Sequence, residues 1–168
     1  MVTCKRETKS GEACVARQSG STETIHGFLR ALWKLDHDLQ RVSKRMEATV
    51  GLTGPQRLCL LHIGRRPGIT PSELAAGLHL DRGTITGILS RLERGRLVAR
   101  DRNPDDARSV HLTLTARGRT TNRDRRSTIE SAVRRAFRRI ATKDVKTTAR
   151  VLATVSEELH AIAAVAMR

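Results

Sequence analysis

Arginine and hydroxyl side chains recur over a short stretch in the middle of this 168-residue chain, at Arg82, Thr84, Thr86 and Arg91. A guanidinium can bond two phosphate oxygens or the edge of a guanine at once, and a threonine hydroxyl can bond to base edges. A surface that presents both groups together suits the grooves and the backbone of a nucleic-acid duplex. The pattern therefore favours duplex DNA as the partner of this stretch.

A second set of candidate contacts lies in a polar loop further along the chain. Residues 102–108 contain asparagine, proline and aspartate, which favour turns, and they carry Arg102 and Arg108. We expect the loop to project and both arginines to reach a neighbouring groove, where a narrow minor groove attracts positive charge. Asp106 is expected to accept hydrogen bonds from Arg108 or the loop backbone and so hold the loop's shape. An ordinary turn aspartate accounts for Asp106 equally well.

Short helices with clear start signals must position the first set. Thr53 and Pro55 predict the start of one helix, which Gly64 is expected to end. The sequence Thr70-Pro71-Ser72-Glu73 predicts a capping box for a second helix, and Asp81 predicts the cap of a third. The inner residues of the three helices are predicted to be Leu58, Leu60, Leu61, Ile63, Leu74, Ala75, Leu78, Ile85, Ile88, Leu89 and Leu92. The last two helices, joined by a tight turn, predict a helix-turn-helix.

Two predicted strands flank the polar loop. Residues 97–100 form the first, and Val110, Leu112 and Leu114 alternate with polar residues in the second. The loop then becomes the wing of a winged helix-turn-helix over residues 51–115. The predicted fold class is mainly α with a small β-hairpin wing.

The overall composition agrees with a polyanionic partner. The chain has 32 lysines and arginines against 17 aspartates and glutamates, a formal net charge of +15. Aromatic residues make up 2% of the chain, which argues against platforms that stack the bases of single strands or RNA. No apolar run is long enough for a membrane span or a secretory signal, so we expect a cytoplasmic protein without a membrane partner.

Catalysis and metal binding are not favoured. The chain has no glycine-rich phosphate loop, no nucleophile elbow and no paired carboxylates in a plausible cleft, so an enzyme is not expected. Its three cysteines, Cys4, Cys14 and Cys59, lack Cys-x-x-Cys spacing, and its six histidines are scattered. We therefore predict no disulfide framework, no metal site and no cofactor.

The two ends of the chain are predicted to form helices, preceded by a flexible tail over residues 1–20. Apolar residues recur at helical spacing from Thr22 to Val50, and again in two stripes after Ile129. The first of these helices is too long to be covered by a small domain alone. We expect residues 21–50 and 116–168 to build a helical homodimer interface. An intramolecular bundle in a monomer is the alternative.

The order of these elements resembles that of the MarR family of bacterial transcriptional regulators. The resemblance covers about residues 22–165 and includes Asp106-x-Arg108 followed by Leu114-Thr115-x-x-Gly118. It implies an intertwined, mostly helical homodimer whose two winged lobes read a pseudo-palindromic operator in double-stranded DNA. It also implies a regulator, most often a repressor, that a small aromatic or anionic effector releases from DNA.

Residue by residue, the resemblance places Thr84 and Thr86 against bases, and Arg82 and Arg91 against bases or phosphates. It also places Ser72 near backbone phosphates and Arg108 at the arginine of the wing. Gly87 departs from the pattern, because many relatives have an arginine there. This departure weakens any inference about the operator sequence but leaves the predicted fold unaffected.

The sequence also predicts an effector pocket. Arg30, Trp33 and His37 lie on one face of the first helix, and His62 lies on a helix expected to pack nearby, so the four could line a pocket for an aromatic carboxylate. A structural role for Trp33 and the histidines explains them at least as well.

Two other functions stay open: a non-specific basic architectural DNA-binding protein, and a redox-responsive regulator that uses Cys59. The apolar neighbours of Cys59 argue against the second, because they raise the pKa of a thiol.

Overall fold

Seven helices and two strands make up the part of the chain that the computed structural model describes, which is residues 9–102, 110–124, 126 and 128–165. In chain order they are α1 (Lys9–Val50), α2 (Gly54–Arg65), α3 (Pro71–Leu78), α4 (Arg82–Arg94), β1 (Val98–Arg102), β2 (Val110–Leu114), α5 (Ala116–Arg123), α6 (Ile129–Phe137) and α7 (Thr142–Val165). The predicted class, mainly α with a small β-hairpin, is confirmed.

The predicted helix starts of the central region are confirmed in atomic detail. Thr53 and Gln56 form a reciprocal capping box at α2, and Thr70 and Glu73 form another at α3. The Asp81 side chain caps α4 by accepting from the Thr84 amide at 2.8 Å. These signals involve residues three apart, which is why they can be recognised without knowledge of the tertiary structure.

A compact core joins α2, α3 and α4 to the hairpin; we call this unit, residues 52–114, the lobe. Most of the predicted inner residues lie in it, but two on α2 do not. Leu58 is 50% exposed and Leu61 is partly exposed, whereas Cys59 is fully buried with Leu60. Four consecutive apolar residues span a full turn of helix and cannot all face one side. The helix also continues to Arg65 instead of ending at Gly64.

The hairpin is antiparallel, with Val98 opposite Leu114 and Arg102 opposite Val110. A third segment extends this sheet, because the Leu112 amide donates to the Ile69 carbonyl and the Gly68 amide donates to the Leu112 carbonyl, both at 2.9 Å. The wing is therefore fixed at its base to the loop between α2 and α3.

Helix α5 packs against the backbone of the lobe at Gly118. The Thr115 hydroxyl donates to the Arg96 carbonyl at 2.6 Å and accepts from the Gly118 amide at 2.9 Å, so it caps α5 and ties it to the start of β1. A Cβ at Gly118 would overlap the Leu97 carbonyl oxygen and lie 2.9 Å from its carbon. Glycine is required there because two backbones meet.

Helix α1 differs from its prediction at its start. It begins at Lys9, inside the segment predicted as a flexible tail, and continues without a break to Val50. Glycines and serines in this segment have low helix propensity, which is why the sequence alone did not favour a helix there. Within α1, Met46 is fully buried beside the lobe.

Large apolar side chains remain exposed on α1, α6 and α7. They are Ile25, Trp33, Leu35, Leu39, Val133, Phe137, Val151, Leu152, Leu159 and Ile162, joined by Ile140 between α6 and α7. Large apolar side chains exposed in such number mark interaction sites in folded proteins. We call these faces the terminal-helix surface.

Candidate nucleic-acid interface

Helix α4 exposes every side chain of the first predicted set. Its inner face buries Ile85, Ile88, Leu89 and Leu92 in the core, and Arg82, Thr84, Thr86 and Arg91 are all exposed. Gly87 also lies on the exposed side, and a Cβ built there has no heavy atom within 4 Å. The whole outer surface of α4 is thus free to enter a groove.

The two threonine hydroxyls on α4 already use their protons within the helix. Thr84 donates to the Asp81 carboxylate at 2.6 Å, and Thr86 donates to the Arg82 carbonyl at 2.7 Å. A hydroxyl that donates its proton can still accept a hydrogen bond through its lone pairs, and the threonine methyl group makes no hydrogen bond. These two side chains are therefore suited to accept from a cytosine or adenine amino group or to contact a thymine methyl.

Helix α3 reaches α4 through a sharp turn at His79. This residue has φ 52° and ψ 41°, a left-handed conformation, and the next amide, that of Leu80, donates to the Ala75 carbonyl at 2.9 Å. Ser72 is exposed in the first turn of α3, where the positive end of the helix dipole favours an anion. Its position fits a phosphate contact.

Acidic residues near this surface are held by local partners. Hydrogen bonds from the side chain and amide of Thr84 lower the pKa of the exposed Asp81 carboxyl, and the amide and hydroxyl of Thr70 lower that of Glu73. Glu93 pairs with Arg100 of β1. The surrounding side chains Arg65, Arg66, Arg82, Arg91, Arg94 and Arg96 are all exposed. The positive charge of the surface is thus left to face solvent.

The Glu93–Arg100 pair, which no local sequence pattern predicts, links α4 to the hairpin. The base of the hairpin has further links: Thr113 donates to Asp101 at 2.9 Å across the strands, and the His111 ring bonds to the Gly68 carbonyl. Arg102 ends β1. Asp106 and Arg108 lie outside the described residues, so their predicted roles in the wing stay predictions.

The predicted effector residues do not converge in this structure. Arg30, Trp33 and His37 are exposed on α1, with Trp33 at 68%. His62 faces α3 instead, since a Cβ at Gly77 would lie 3.2 Å from its ring, and its buried Nε2 lacks a hydrogen-bond partner. No hydrogen bond or ion pair between described residues joins His62 to the α1 group. The pocket stays a prediction.

Cys59 is fully buried in the core of the lobe, and burial raises the pKa of its thiol to about 11. At neutral pH the thiol is protonated and shielded, whereas oxidant sensing requires an accessible thiolate.

Among the described residues, no group of three or more histidine, cysteine, aspartate or glutamate side chains is arranged to hold a metal ion. In the same part of the chain, no helix combines the length and the apolar character needed to cross a membrane.

Known proteins resemble this chain most clearly in the lobe. Residues 50–109 match the sequence model of the MarR family. The transcriptional regulator TtmR of Methylorubrum extorquens is 37% identical over 89 residues, which are 53% of this chain and 46% of that protein. The repressor Rv2887 of Mycobacterium tuberculosis is 32% identical over 91 residues, 54% of this chain and 66% of that one. The chain thus spans about half to two thirds of the length of these relatives.

Solved structures extend the likeness to the terminal helices. Rv2887 in complex with p-aminosalicylic acid aligns with a TM-score of 0.51 and 26% identity over 77% of this chain and 97% of that one. FabT of Streptococcus pneumoniae, in complex with DNA, aligns with a TM-score of 0.61 and 22% identity over 84% of this chain and 99% of that one. The FabT likeness is one of fold.

Proposed function

Since the chain belongs to the MarR family through its winged helix-turn-helix, we propose that it is a homodimeric transcriptional regulator that binds double-stranded DNA by sequence. The observation that carries the proposal is the outer surface of α4, which combines exposed arginines, exposed threonines and an empty position at Gly87. Such a helix fits the major groove, where base edges differ most.

The proposed contacts divide by chemistry. Thr84 and Thr86 contact base edges, Arg82 and Arg91 contact bases or phosphates, and Ser72 contacts a phosphate. In the wing, Arg102 and Arg108 reach a neighbouring groove and Asp106 holds the loop. Backbone contacts position the protein on DNA, and base contacts provide the sequence preference.

The terminal-helix surface supports a homodimer. Its apolar side chains are 37% to 68% exposed in the single chain, and a second copy would remove them from water. A symmetric pair of lobes then reads a pseudo-palindromic operator. We further propose that the regulator works in the cytoplasm and that it is a repressor. The relative Rv2887 is named a transcriptional repressor, which supports the second part of this proposal.

We expect the intact dimer to bind an operator, selected from a random duplex pool, at least about 1,000-fold more tightly than scrambled DNA at physiological salt. Arg91→Ala should weaken operator binding, because it removes an exposed cation from the recognition surface. Arg150→Ala on α7 is the matched control, being an exposed arginine outside the lobe. Fluorescence anisotropy over a salt series measures the affinity of the wild type and of both variants for operator and scrambled DNA.

Equal affinity for operator and scrambled DNA at every salt concentration would contradict this proposal. That result would favour the non-specific architectural protein, which needs the positive charge but not the shaped surface of α4.

We also propose that a small aromatic or anionic effector releases the DNA. The complex of Rv2887 with p-aminosalicylic acid supports this chemistry, and the chain offers Arg30, Trp33 and His37 on α1, with His62 on α2. Dimer formation would have to complete the pocket, because the α1 side chains are exposed in one copy.

Trp33 is the sole tryptophan of the chain and reports on this pocket directly. We expect p-aminosalicylate to change Trp33 fluorescence and to weaken operator binding over the same concentration range. Arg30→Ala should shift both curves to higher ligand concentration, since it removes the cation that would face the carboxylate. A fluorescence change without any loss of DNA binding would rule out an effector role for this site.

A further inference from the structure

Arg57 of α2 is a charged side chain buried within the structure, with 1% of its surface exposed. Burial of an unpaired guanidinium is costly, so its partners must compensate. No local sequence pattern predicts a role for this residue. Its contacts extend beyond the lobe to the helices that follow the wing.

The guanidinium caps the end of α5. Nη1 donates to the Thr121 carbonyl at 2.6 Å, and Nη2 donates to the Asn122 and Asp124 carbonyls at 3.1 and 2.9 Å. The last carbonyls of a helix have no partner within it and carry the negative end of the helix dipole. Arg57 supplies both the hydrogen bonds and the positive charge that this helix end needs.

The same side chain also binds the start of α6. Nε of Arg57 donates to Glu130 Oε1 at 2.6 Å, and Glu130 lies in the first turn of α6, after the buried cap Thr128. One guanidinium therefore spans the connection between the end of α5 and the beginning of α6. A residue of the lobe thus bonds to both ends of the connection between these helices.

Helix α1 also contacts the lobe beside the start of α6. The Gly54 amide donates to Ser43 Oγ of α1 at 2.8 Å, and a Cβ at Gly54 would lie 2.9 Å from Ile129 Cδ1 of α6. We define the junction as Ser43, Gly54, Arg57, Ile129 and Glu130. There, the lobe contacts helices that carry the terminal-helix surface.

We propose that Arg57 is a positioning residue that sets the angle between the lobe and the terminal helices, and with it the spacing of DNA half-sites that the protein accepts. The inference rests on the proposed function, because spacing has meaning for a dimer that reads two half-sites. In such a dimer the terminal helices are fixed at the symmetry axis, so a rotation at the junction moves each α4 relative to its partner.

The four hydrogen bonds of Arg57 have directions that resist such rotation, whereas apolar contacts tolerate sliding. Half-sites on one face of the duplex are separated by about one helical turn, roughly 10 base pairs. Inserting or removing a base pair changes both the distance and the rotation between them. A rigid junction rejects such operators, and a loosened junction accepts them.

The test uses operators selected by the wild-type full chain from a random duplex pool, rebuilt with base pairs added to or removed from the centre. The variants are Arg57→Met, which keeps much of the side-chain volume, and Glu130→Ala, which frees α6 while leaving the cap on α5. Arg126→Met is the matched control, because Arg126 lies in the same connection but its side chain is 91% exposed. Binding is measured on each operator and on a single half-site.

We expect the wild type and Arg126→Met to prefer one spacing sharply. In Arg57→Met, the affinity ratio between the best and the shifted operators should fall about tenfold, and Glu130→Ala should change it in the same direction. Binding to the single half-site should stay at the wild-type level, because the α4 surface is intact. If Arg57→Met fails to fold, the spacing profile of Glu130→Ala tests the proposal. The Glu130 side chain lies at the rim of the junction and is 22% exposed, so its removal is the milder change.

An equal loss of affinity at every spacing would assign Arg57 a purely structural role and overturn the inference. An unchanged spacing profile would overturn it as well. A wild-type protein that selects no sequence from the pool would instead refute the proposed function, so the two failures are distinguishable.

Discussion

Replacing Gly118 with alanine is expected to lower the free energy of unfolding by about 3 kcal/mol, near the upper end of the cost of overpacking. The added methyl group would overlap the Leu97 carbonyl oxygen, which belongs to the backbone and cannot rotate away as a side chain could. Relief requires α5 to move away from Leu97, and that movement weakens the bond of the Thr115 hydroxyl to the Arg96 carbonyl. Denaturant unfolding followed by circular dichroism measures the loss.

Gly87→Ala is the matched control for this substitution. It is the same chemical change in a helix, but a Cβ at Gly87 meets no atom within 4 Å. Alanine has the higher helix propensity, so this variant should gain up to about 1 kcal/mol. A Gly118→Ala protein as stable as the wild type would mean that α5 does not approach Leu97 as closely as described.

Arg57→Ala is expected to destabilise the protein by about 3–5 kcal/mol, the usual cost of removing one partner from a buried ion pair. The substitution leaves the carbonyls of Thr121, Asn122 and Asp124 without their donor and Glu130 without its cation. It also opens a cavity where the aliphatic part of the side chain lay. Arg57→Met should be less harmful, because it refills part of that volume.

The control for this prediction is Arg126→Ala. Arg126 pairs with Asp124 in the same connection, but its guanidinium is in solvent, and exposed pairs contribute little to stability. The unfolding midpoint of Arg126→Ala should match that of the wild type. If Arg57→Ala were equally benign, the buried pair could not be holding α5 and α6 together.

Features that depend on neighbouring residues were predictable from sequence. The caps at Thr53, Thr70 and Asp81 and the two strands follow from spacings of two to four residues, and the structure confirms them. The exposed positions of Arg82, Thr84, Thr86 and Arg91 follow from the apolar stripe on the opposite side of α4.

Features that depend on distant residues were not predictable in this way. The partners of Arg57 are 64 to 73 residues further along the chain, so nothing near it in sequence reveals that it is buried. A signal was nevertheless present: Arg57 is three residues before Leu60, on the buried side of α2. A basic residue in that position requires an acidic partner, and the first turn of α6 provides Glu130.

Gly118 was recognisable as part of a motif, but the reason for glycine there was not. The sequence shows a glycine three residues after a capping threonine, a position that ordinary helices fill with many residue types. The requirement comes from the Leu97 carbonyl, which α5 meets when the hairpin has formed. Close contacts between backbones are a property of the folded chain.

The empty space beside Gly87 has a consequence for how regulators of this kind diverge. One base change turns a glycine codon of the form GGN into an arginine codon, CGN, and the Cβ of the new side chain would have no heavy atom within 4 Å. A duplicated gene can therefore acquire a new base-contacting side chain in one mutational step without a loss of stability, because arginine has a higher helix propensity than glycine.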